Sequence, residues 1–355
     1  MQRVFKVTLL LSLLVRSDLG MLPLTMQAID YQEFGPPSVL SSVQIELPKL
    51  RETDLLVQVK ALGVNRADLN QRQGKYGKNP TFGDSPLLGL EIAGVVVDLG
   101  TEASGFKIGD RVMGIVGGGA YAQYARIDAG MATHIPSNMS DIEAAGVTEA
   151  FVTAHQALLH LGRFSEGETV LIHGAGGGVG CALIQMALQS GAGMVITTSS
   201  SAKIDRLRNM GVHLAIDYAS EDFREIIAEK VPGGGVDVII DIMGGDYLER
   251  NIRSLNIGGR IIQIGMQGER SGTLPMDLLL QRRLRIEGTV MKSVSLQEKR
   301  NMTNRFQARW LSDLESKKIV PVIDKSFPLA EAALAHEYMQ EAKNFGKIIL
   351  IPSSC

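Results

Sequence analysis

From Met26 to about Gly146, apolar and polar residues alternate in short runs: Gln27–Asp30, Val43–Leu47, Leu55–Ala61, Ile92–Leu99, Arg111–Ile115 and Tyr121–Ile127. Turn signals such as Leu99-Gly100 and Ile108-Gly109-Asp110 part them. Short β-like runs bounded by turn residues predict strands, and their close spacing predicts a barrel-like or mixed β domain. From about Glu149 the rhythm changes. Thr169–His173 reads as a buried strand and Val179–Ser190 as a helix in which Val179, Ala182, Leu183, Met186 and Ala187 share one face. Strand Met194–Thr198, helix Ala202–Met210, strand Leu214–Ile216, helix Glu221–Lys230 and strands Val236–Ile242 and Arg260–Gly265 continue the series. Such alternation builds parallel strands joined by crossovers, a doubly wound sheet. Beyond Ser293 we expect helices Asn304–Ser316 and Ala330–Ala342 and a last strand Gly346–Ile351, folding back on the first domain. The expected fold is therefore α/β, with a β-barrel domain from 26–150 and 293–355 and a parallel-sheet domain from 151–292.

Residues 1–25 stand apart. Arg3 and Lys6 precede the apolar run Val7–Val15, and Arg16 and Asp18 follow it. The outline is that of a signal peptide, but no small-x-small cleavage site follows, and the run is far short of the roughly 20 residues that cross a bilayer. We read it as a dispensable leader or a misassigned start, with Met26 an alternative start and an export signal the rival. No stable membrane insertion is expected.

Composition narrows the function classes. The 355 residues are 45% hydrophobic and 21% charged with a net charge of −2, which supplies no positive field for a nucleic-acid backbone. Only Cys181 and Cys355 occur, so neither a disulfide framework nor a cysteine-rich zinc site can be built, and a reducing, cytoplasmic compartment fits best.

The strongest chemical signal is His173-Gly174-Ala175-Gly176-Gly177-Gly178-Val179-Gly180, placed where a strand ends and a helix begins. In the register Ala175-x-Gly177-x-x-Gly180, small residues allow a tight turn, close approach of backbone to a pyrophosphate and packing of helix on strand. Gly117-Gly118-Gly119 precedes a strand and reads as a turn. At the end of the second strand an Asp or Glu would hold the 2′-hydroxyl of NAD. The chain has instead Thr197-Thr198-Ser199-Ser200-Ser201-Ala202-Lys203, with Arg206 a turn later, hydroxyls and cations suited to a 2′-phosphate. NADPH is the expected dinucleotide; a Ser-rich helix cap with a solvated lysine is the plain alternative.

The segments Gly63-Val64-Asn65-Arg66-Ala67-Asp68, Gln71-Arg72-Gln73-Gly74-Lys75-Tyr76, Leu88-Gly89-Leu90-Glu91, Gly109-Asp110-Arg111-Val112 and Gly346-Lys347-Ile348, with the glycine loop, resemble the medium-chain dehydrogenase/reductase superfamily from Met26 onward. Within it the chain resembles the zinc-free, zeta-crystallin-like quinone oxidoreductases, nearest their p53-inducible branch through Glu149-Ala150, Thr153-Ala154, Asp241-x-x-Gly244-Gly245 and Ala335-His336-x-x-Met339. The resemblance implies a GroES-like catalytic domain beside a Rossmann cofactor domain, and a homodimer. Zinc-dependent relatives carry a cysteine at Asn65, a histidine at Leu90 and a four-cysteine lobe that is missing here, so no metal is expected. His134, His155 and His173 read as packed or surface histidines.

By the same resemblance Asn65 and Tyr76 stand near nicotinamide and substrate, where an amide and a phenol orient or polarise a carbonyl; a turn residue and a pocket wall are the plain alternatives. Thr153 meets the nicotinamide. Gly177, Gly178 and Val179 face the pyrophosphate, Ser200, Lys203 and Tyr218 the adenosine phosphate, and Met243 the adenine. Gly265, Met266 and Gln267 line the nicotinamide, with Asn344 and Lys347 as weaker candidates. The implied reaction is reduction of a quinone by NADPH, with an enone or enoyl reductase, or a non-catalytic NADPH-binding crystallin, as rivals.

Overall fold

The structure is a computed structural model that describes residues 16–17, 20–75 and 85–353. Tyr76 and most of the leader lie outside the described residues. The chain divides into two compact units, the residues to Ile135 with Phe327–Glu337 and from Ile349 onward, and Pro136–Ser326 with Tyr338–Ile348.

The first unit is built on antiparallel strands. β1 (Thr25–Asp30) pairs with β2 (Ser41–Glu46), and β3 (Asp54–Val64) pairs with both β4 (Glu91–Leu99) and β6 (Tyr124–Asp128). β5 (Arg111–Ile115) joins β4 to β7 (Ala132–His134). Leu55, Leu56, Val57, Ile92, Ala93, Val112 and Met113 are buried in nearly continuous runs of β3, β4 and β5, so these strands are covered on both faces. Between β3 and β4 stands one helix that the pattern did not predict, α1 (Arg66–Arg72). Its buried face is mostly polar, with Asp68, Gln71 and Arg72 beside Leu69.

The second unit is doubly wound. Parallel strands β8 (Thr169–His173), β9 (Met194–Ser199), β10 (Leu214–Asp217), β11 (Val236–Asp241), β12 (Leu255–Gln263) and β13 (Arg285–Gly288) lie in the order β10-β9-β8-β11-β12-β13. The order reverses at β8, so the carboxyl ends of β8, β9 and β11 flank the crevice where open α/β sheets take ligands. Leu171, Ile196, Ile216, Ile239 and Ile261 form the buried centre with Phe223 and Ile227 of α5 (Phe223–Lys230) and Ile252 of α6 (Tyr247–Ser254). Arg260 staples β12 to the start of β8. Its guanidinium donates to Glu168 Oε1 at 2.5 Å and Oε2 at 2.6 Å, and to the carbonyls of Gly162 and Arg163.

The long helix Leu296–Glu315 groups with this second unit, whereas the sequence reading attached everything from Ser293 to the first domain. Met302, Phe306, Trp310 and Leu314 form its buried stripe, and Trp310 Nε1 donates to His155 Nδ1 at 2.9 Å. Burial and the cations Arg305 and Arg309 with His160 hold the His155 imidazole down at about 4.

Candidate functional site

β8 ends at His173, Gly174 turns the chain at φ +64°, and Gly177 caps α3 (Gly178–Gln189). Each small residue that follows has a physical reason. A Cβ on Gly180 would stand 2.3 Å from the Ala175 carbonyl oxygen, so only glycine lets α3 rise this close to the strand end. A Cβ on Gly176 would meet Lys203 Cδ at 2.5 Å, and one on Gly178 would meet Lys347 Cδ at 2.5 Å. Two lysine side chains therefore cross the glycine loop, converging on a helix start whose own N–H groups favour anions.

Residues from the end of the chain complete the loop. Gly346, at φ +89°, donates its N–H to the Gly176 carbonyl at 2.9 Å, and Asn344 Nδ2 donates to the Gly346 carbonyl at 2.9 Å. Asn344 and Lys347 are both buried. Of the two weakest sequence candidates, both thus join the best-supported motif, across about 170 positions that no local pattern spans.

At the carboxyl end of β9 stands Ser199, with no carboxylate there. Ser200 begins the turn carrying Lys203, and Tyr218, half exposed, donates its backbone N–H to the Ser199 carbonyl at 3.2 Å. Arg206 departs from expectation. Its guanidinium donates to Asp324 Oδ1 at 3.0 Å and lies 4.1 Å over the Phe345 ring, so it clamps the approach to Gly346 instead of standing over the phosphate position.

Met243 and the Gly265–Gln267 turn come together beyond β11 and β12. The Gln267 N–H donates to the Ile242 carbonyl and the Gly268 N–H to that of Met243, both at 2.9 Å. Met266 is exposed, and Gln263 Nε2 donates to the Gly265 carbonyl at 2.6 Å. Thr153 lies half-buried on α2 (Thr148–His155), whose Ala150 would approach a Cβ on Gly178 to 3.8 Å.

In the first unit Asn65 begins α1. Its Nδ2 donates to Glu91 Oε1 at 2.9 Å and to the Gly63 carbonyl at 3.4 Å, while its backbone N–H donates to Asp68 Oδ2 at 2.8 Å. Leu90 and Glu91 are buried. Asp68, also buried, accepts from the Gly89 N–H at 3.1 Å and the Tyr121 hydroxyl at 3.3 Å. Because that phenol donates to Asp68, the His336 Nε2–H donates to the phenol oxygen at 2.9 Å. Burial pushes His336 down to about 3, with Arg72 adding to the effect, so this imidazole is neutral. The sequence reading names none of Glu91, Asp68, Tyr121 and His336 as a site residue: Glu91, Asp68 and His336 stand within the quoted motifs, and Tyr121 only at the start of a predicted strand. Among the described residues, no group of three or more His, Cys, Asp or Glu side chains is placed to hold a metal ion. None of the helices among them is long and apolar enough to cross a membrane.

Comparison with known proteins agrees with this architecture. The alcohol dehydrogenase GroES-like domain family matches residues 51–137, and the zinc-binding dehydrogenase family matches residues 178–308. A quinone oxidoreductase of Lama guanicoe is 31% identical over 334 residues, 92% of this chain and 97% of that protein. A mycocerosic acid synthase-like polyketide synthase of Mycobacterium tuberculosis is 34% identical over 298 residues, 84% of this chain; the chain spans 14% of that much longer protein. Among solved structures, the CurK enoyl reductase superposes with a TM-score of 0.83 at 25% identity, covering 93% of this chain and 100% of that one.

Proposed function

Since the chain belongs to the medium-chain dehydrogenase/reductase superfamily, among the quinone oxidoreductases, we propose that it reduces quinones with NADPH and without zinc: NADPH + quinone + H⁺ → NADP⁺ + hydroquinone. The observation that carries this reading is Lys203 crossing the glycine loop beside Ser199, at a strand end with no carboxylate. A dinucleotide fits the residues present, because Gly176 and Gly178 let Lys203 and Lys347 lie over the loop and Gly180 lets the start of α3 stand against the strand end. Zinc does not fit them. At the positions that the resemblance gives to its ligands stand a buried hydrocarbon, Leu90, and an amide, Asn65, whose nitrogen donates to Glu91.

When bound, NADPH supplies the hydride. The chain's own contribution is to hold the reactants. The first N–H groups of α3, with Lys347, receive the pyrophosphate, and Ser200, Lys203 and Tyr218 border the adenosine phosphate. Thr153, Gly265, Met266 and Gln267 line the nicotinamide in this reading, and the resemblance assigns Tyr76 and Asn65 to the acceptor. The reading also includes a cytoplasmic homodimer, checked by sedimentation.

One second reading has an observation behind it. The likeness to the CurK enoyl reductase favours an enone or enoyl acceptor, where the same hydride lands on a conjugated C=C. A panel of benzoquinones, naphthoquinones and α,β-unsaturated ketones, followed at the NADPH absorbance, separates the two. Reduction of quinones alone supports the proposal, reduction of enones alone replaces it with the second reading, and no oxidation above background removes both.

A further inference from the structure

Below the glycine loop lies a chain of buried polar groups with no place in the reading above. His173, the last residue of β8, is buried, with Nδ1 2.9 Å from Thr198 Oγ1 and Nε2 2.8 Å from Asn251 Oδ1. Asn251, on α6 and also buried, donates from Nδ2 to Asp241 Oδ2 at 3.1 Å. Asp241, at the carboxyl end of β11 and buried, accepts the backbone N–H groups of Met243 and Gly244 on Oδ1.

Hydrogen-bond chemistry fixes every direction along this chain. The Asp241 carboxylate only accepts, so the Asn251 amide turns its nitrogen toward it and its oxygen toward His173. That oxygen only accepts, so His173 carries its proton on Nε2. Burial lowers the pKa of this imidazole, and in the neutral ring Nδ1 is bare and accepts from the Thr198 hydroxyl. The ring is held from the side as well: Phe223 and Tyr247 meet it edge-on at 4.8 and 4.9 Å between centroids, and the Arg250 guanidinium lies over both of those rings. The end of the chain matters most. Gly244 and Gly245 take φ of +71° and +56°, backbone that favours glycine, and Asp241 holds the N–H groups of Met243 and Gly244 at the start of that turn.

We propose that His173 is a positioning residue for the adenosine half of the dinucleotide site, acting through Asn251 and Asp241 to set the Met243-Gly244-Gly245 turn. The proposal rests on the NADPH reading, since that turn borders adenine only if a dinucleotide lies along the strand ends. The chain of hydrogen bonds ends on that turn and away from the hydride-transfer end, although His173 itself directly precedes Gly174, where the phosphate loop begins. The expected signature is a loss of affinity with no loss of turnover at saturation.

Two replacements of the same ring separate positioning from packing. Gln places a donor where Nε2 stands and keeps the link to Asn251; Asn places a polar atom where Nδ1 stands and loses that link. Dissociation constants are measured for NADPH and for 2′-phospho-ADP-ribose, which lacks the nicotinamide, alongside kcat with a quinone. His173→Asn is expected to weaken both ligands by about tenfold, the cost of one buried hydrogen bond, with kcat unchanged. His173→Gln is expected to stay within about threefold of the native protein. If His173→Asn fails to fold, Asn251→Ala cuts the same link and carries the same expectation. Equal losses in the Asn and Gln variants, unchanged affinity in His173→Asn or in Asn251→Ala, or a fall confined to kcat would overturn the proposal. Should the native protein bind neither NADPH nor the fragment, the dinucleotide reading falls and takes this inference with it; native binding with an unaffected variant overturns the inference alone.

Discussion

Replacing Gly180 with alanine sets two effects of known size against each other. Gly180 has an ordinary helical backbone inside α3, so alanine gains about 1 kcal/mol in helix propensity. Against this, the added Cβ would stand 2.3 Å from Ala175 O, 2.5 Å from its Cα and 2.6 Å from its carbonyl carbon. Comfortable carbon contacts begin near about 3.5 Å, so roughly 1 Å must be found, and all three obstacles are backbone. No rotamer relieves them; the first turn of α3 has to lift off the end of β8. Overpacking of this kind costs about 1–3 kcal/mol, here toward the upper end, and the net expectation is a loss of about 2 kcal/mol. The lift also carries the N–H groups of Gly178 and Val179 away from the phosphates, lowering NADPH affinity by roughly tenfold. Gly178→Ala is the internal control. Its close obstacles are Cδ of Lys347 at 2.5 Å and Cγ at 3.2 Å, both on one side chain and neither on backbone, so the loss of stability should be smaller than in Gly180→Ala by about 1 kcal/mol or more. Urea unfolding of the two variants, with NADPH titration of each, reads both quantities. Equal stability of the two, or full NADPH affinity in Gly180→Ala, would refute the steric account of the loop.

Lys203→Glu should weaken NADPH by more than about thirtyfold, through loss of a charge-assisted bond and added repulsion, and NADH by no more than about threefold; parallel losses in titrations of both would remove the 2′-phosphate role. Arg260→Leu strands the Glu168 carboxylate and the carbonyls of Gly162 and Arg163, so urea unfolding should show a loss of about 3–5 kcal/mol, and a change below about 1 kcal/mol would contradict the staple. His155, held at about 4 when folded against about 6.5 when unfolded, binds its proton more readily in the unfolded chain. Its contribution to stability is complete above about pH 6.5 and falls as pH drops toward 4, by up to about 3 kcal/mol. His155→Asn keeps an acceptor for Trp310 and should flatten that part of the profile; an unchanged slope in urea midpoints against pH would count against the assignment.

The elements legible in the sequence were those whose residues are sorted by burial. β5 and β8 run over the same residues as predicted, because Val112 and Met113 in one and Val170, Leu171 and Ile172 in the other are buried apolar runs bounded by turns. α1 and α6 escaped for the opposite reason. Their buried faces hold Asp68, Gln71 and Arg72 in one and Asn251 and Ser254 in the other, which a hydrophobic period does not register. β13 is exposed at all four residues and shows no pattern at all. At the candidate site, the place of Lys203 after β9 is visible in the sequence, whereas the contacts of Arg206, one helical turn away, are not, because its partners Asp324 and Phe345 lie more than a hundred residues on. Tertiary contacts of this length decide a side chain's direction and leave no local trace.

The geometry around Asn65 bears on which acceptors such a protein can reduce. The sequence allowed the amide to polarise a carbonyl as a donor, but its nitrogen faces Glu91 Oε1 at 2.9 Å and the Gly63 carbonyl at 3.4 Å, both inside the protein. An amide held in this way fixes the start of α1 and the buried Glu91 more than it withdraws electrons from a substrate. With neither a thiolate nor an imidazole at these positions to hold a Lewis acid, little on this wall offsets the charge that develops on a plain ketone oxygen during hydride addition. Quinones lessen that need, because the charge spreads over a ring that becomes aromatic as the hydroquinone forms. For such an acceptor, proximity is the larger part of catalysis, and two reactants held in line supply it without an electrophile. Under the proposed reading, the buried hydrogen bonds at Asp68, Asp241 and Glu91, which fix strand ends and loops, serve that kind of catalysis.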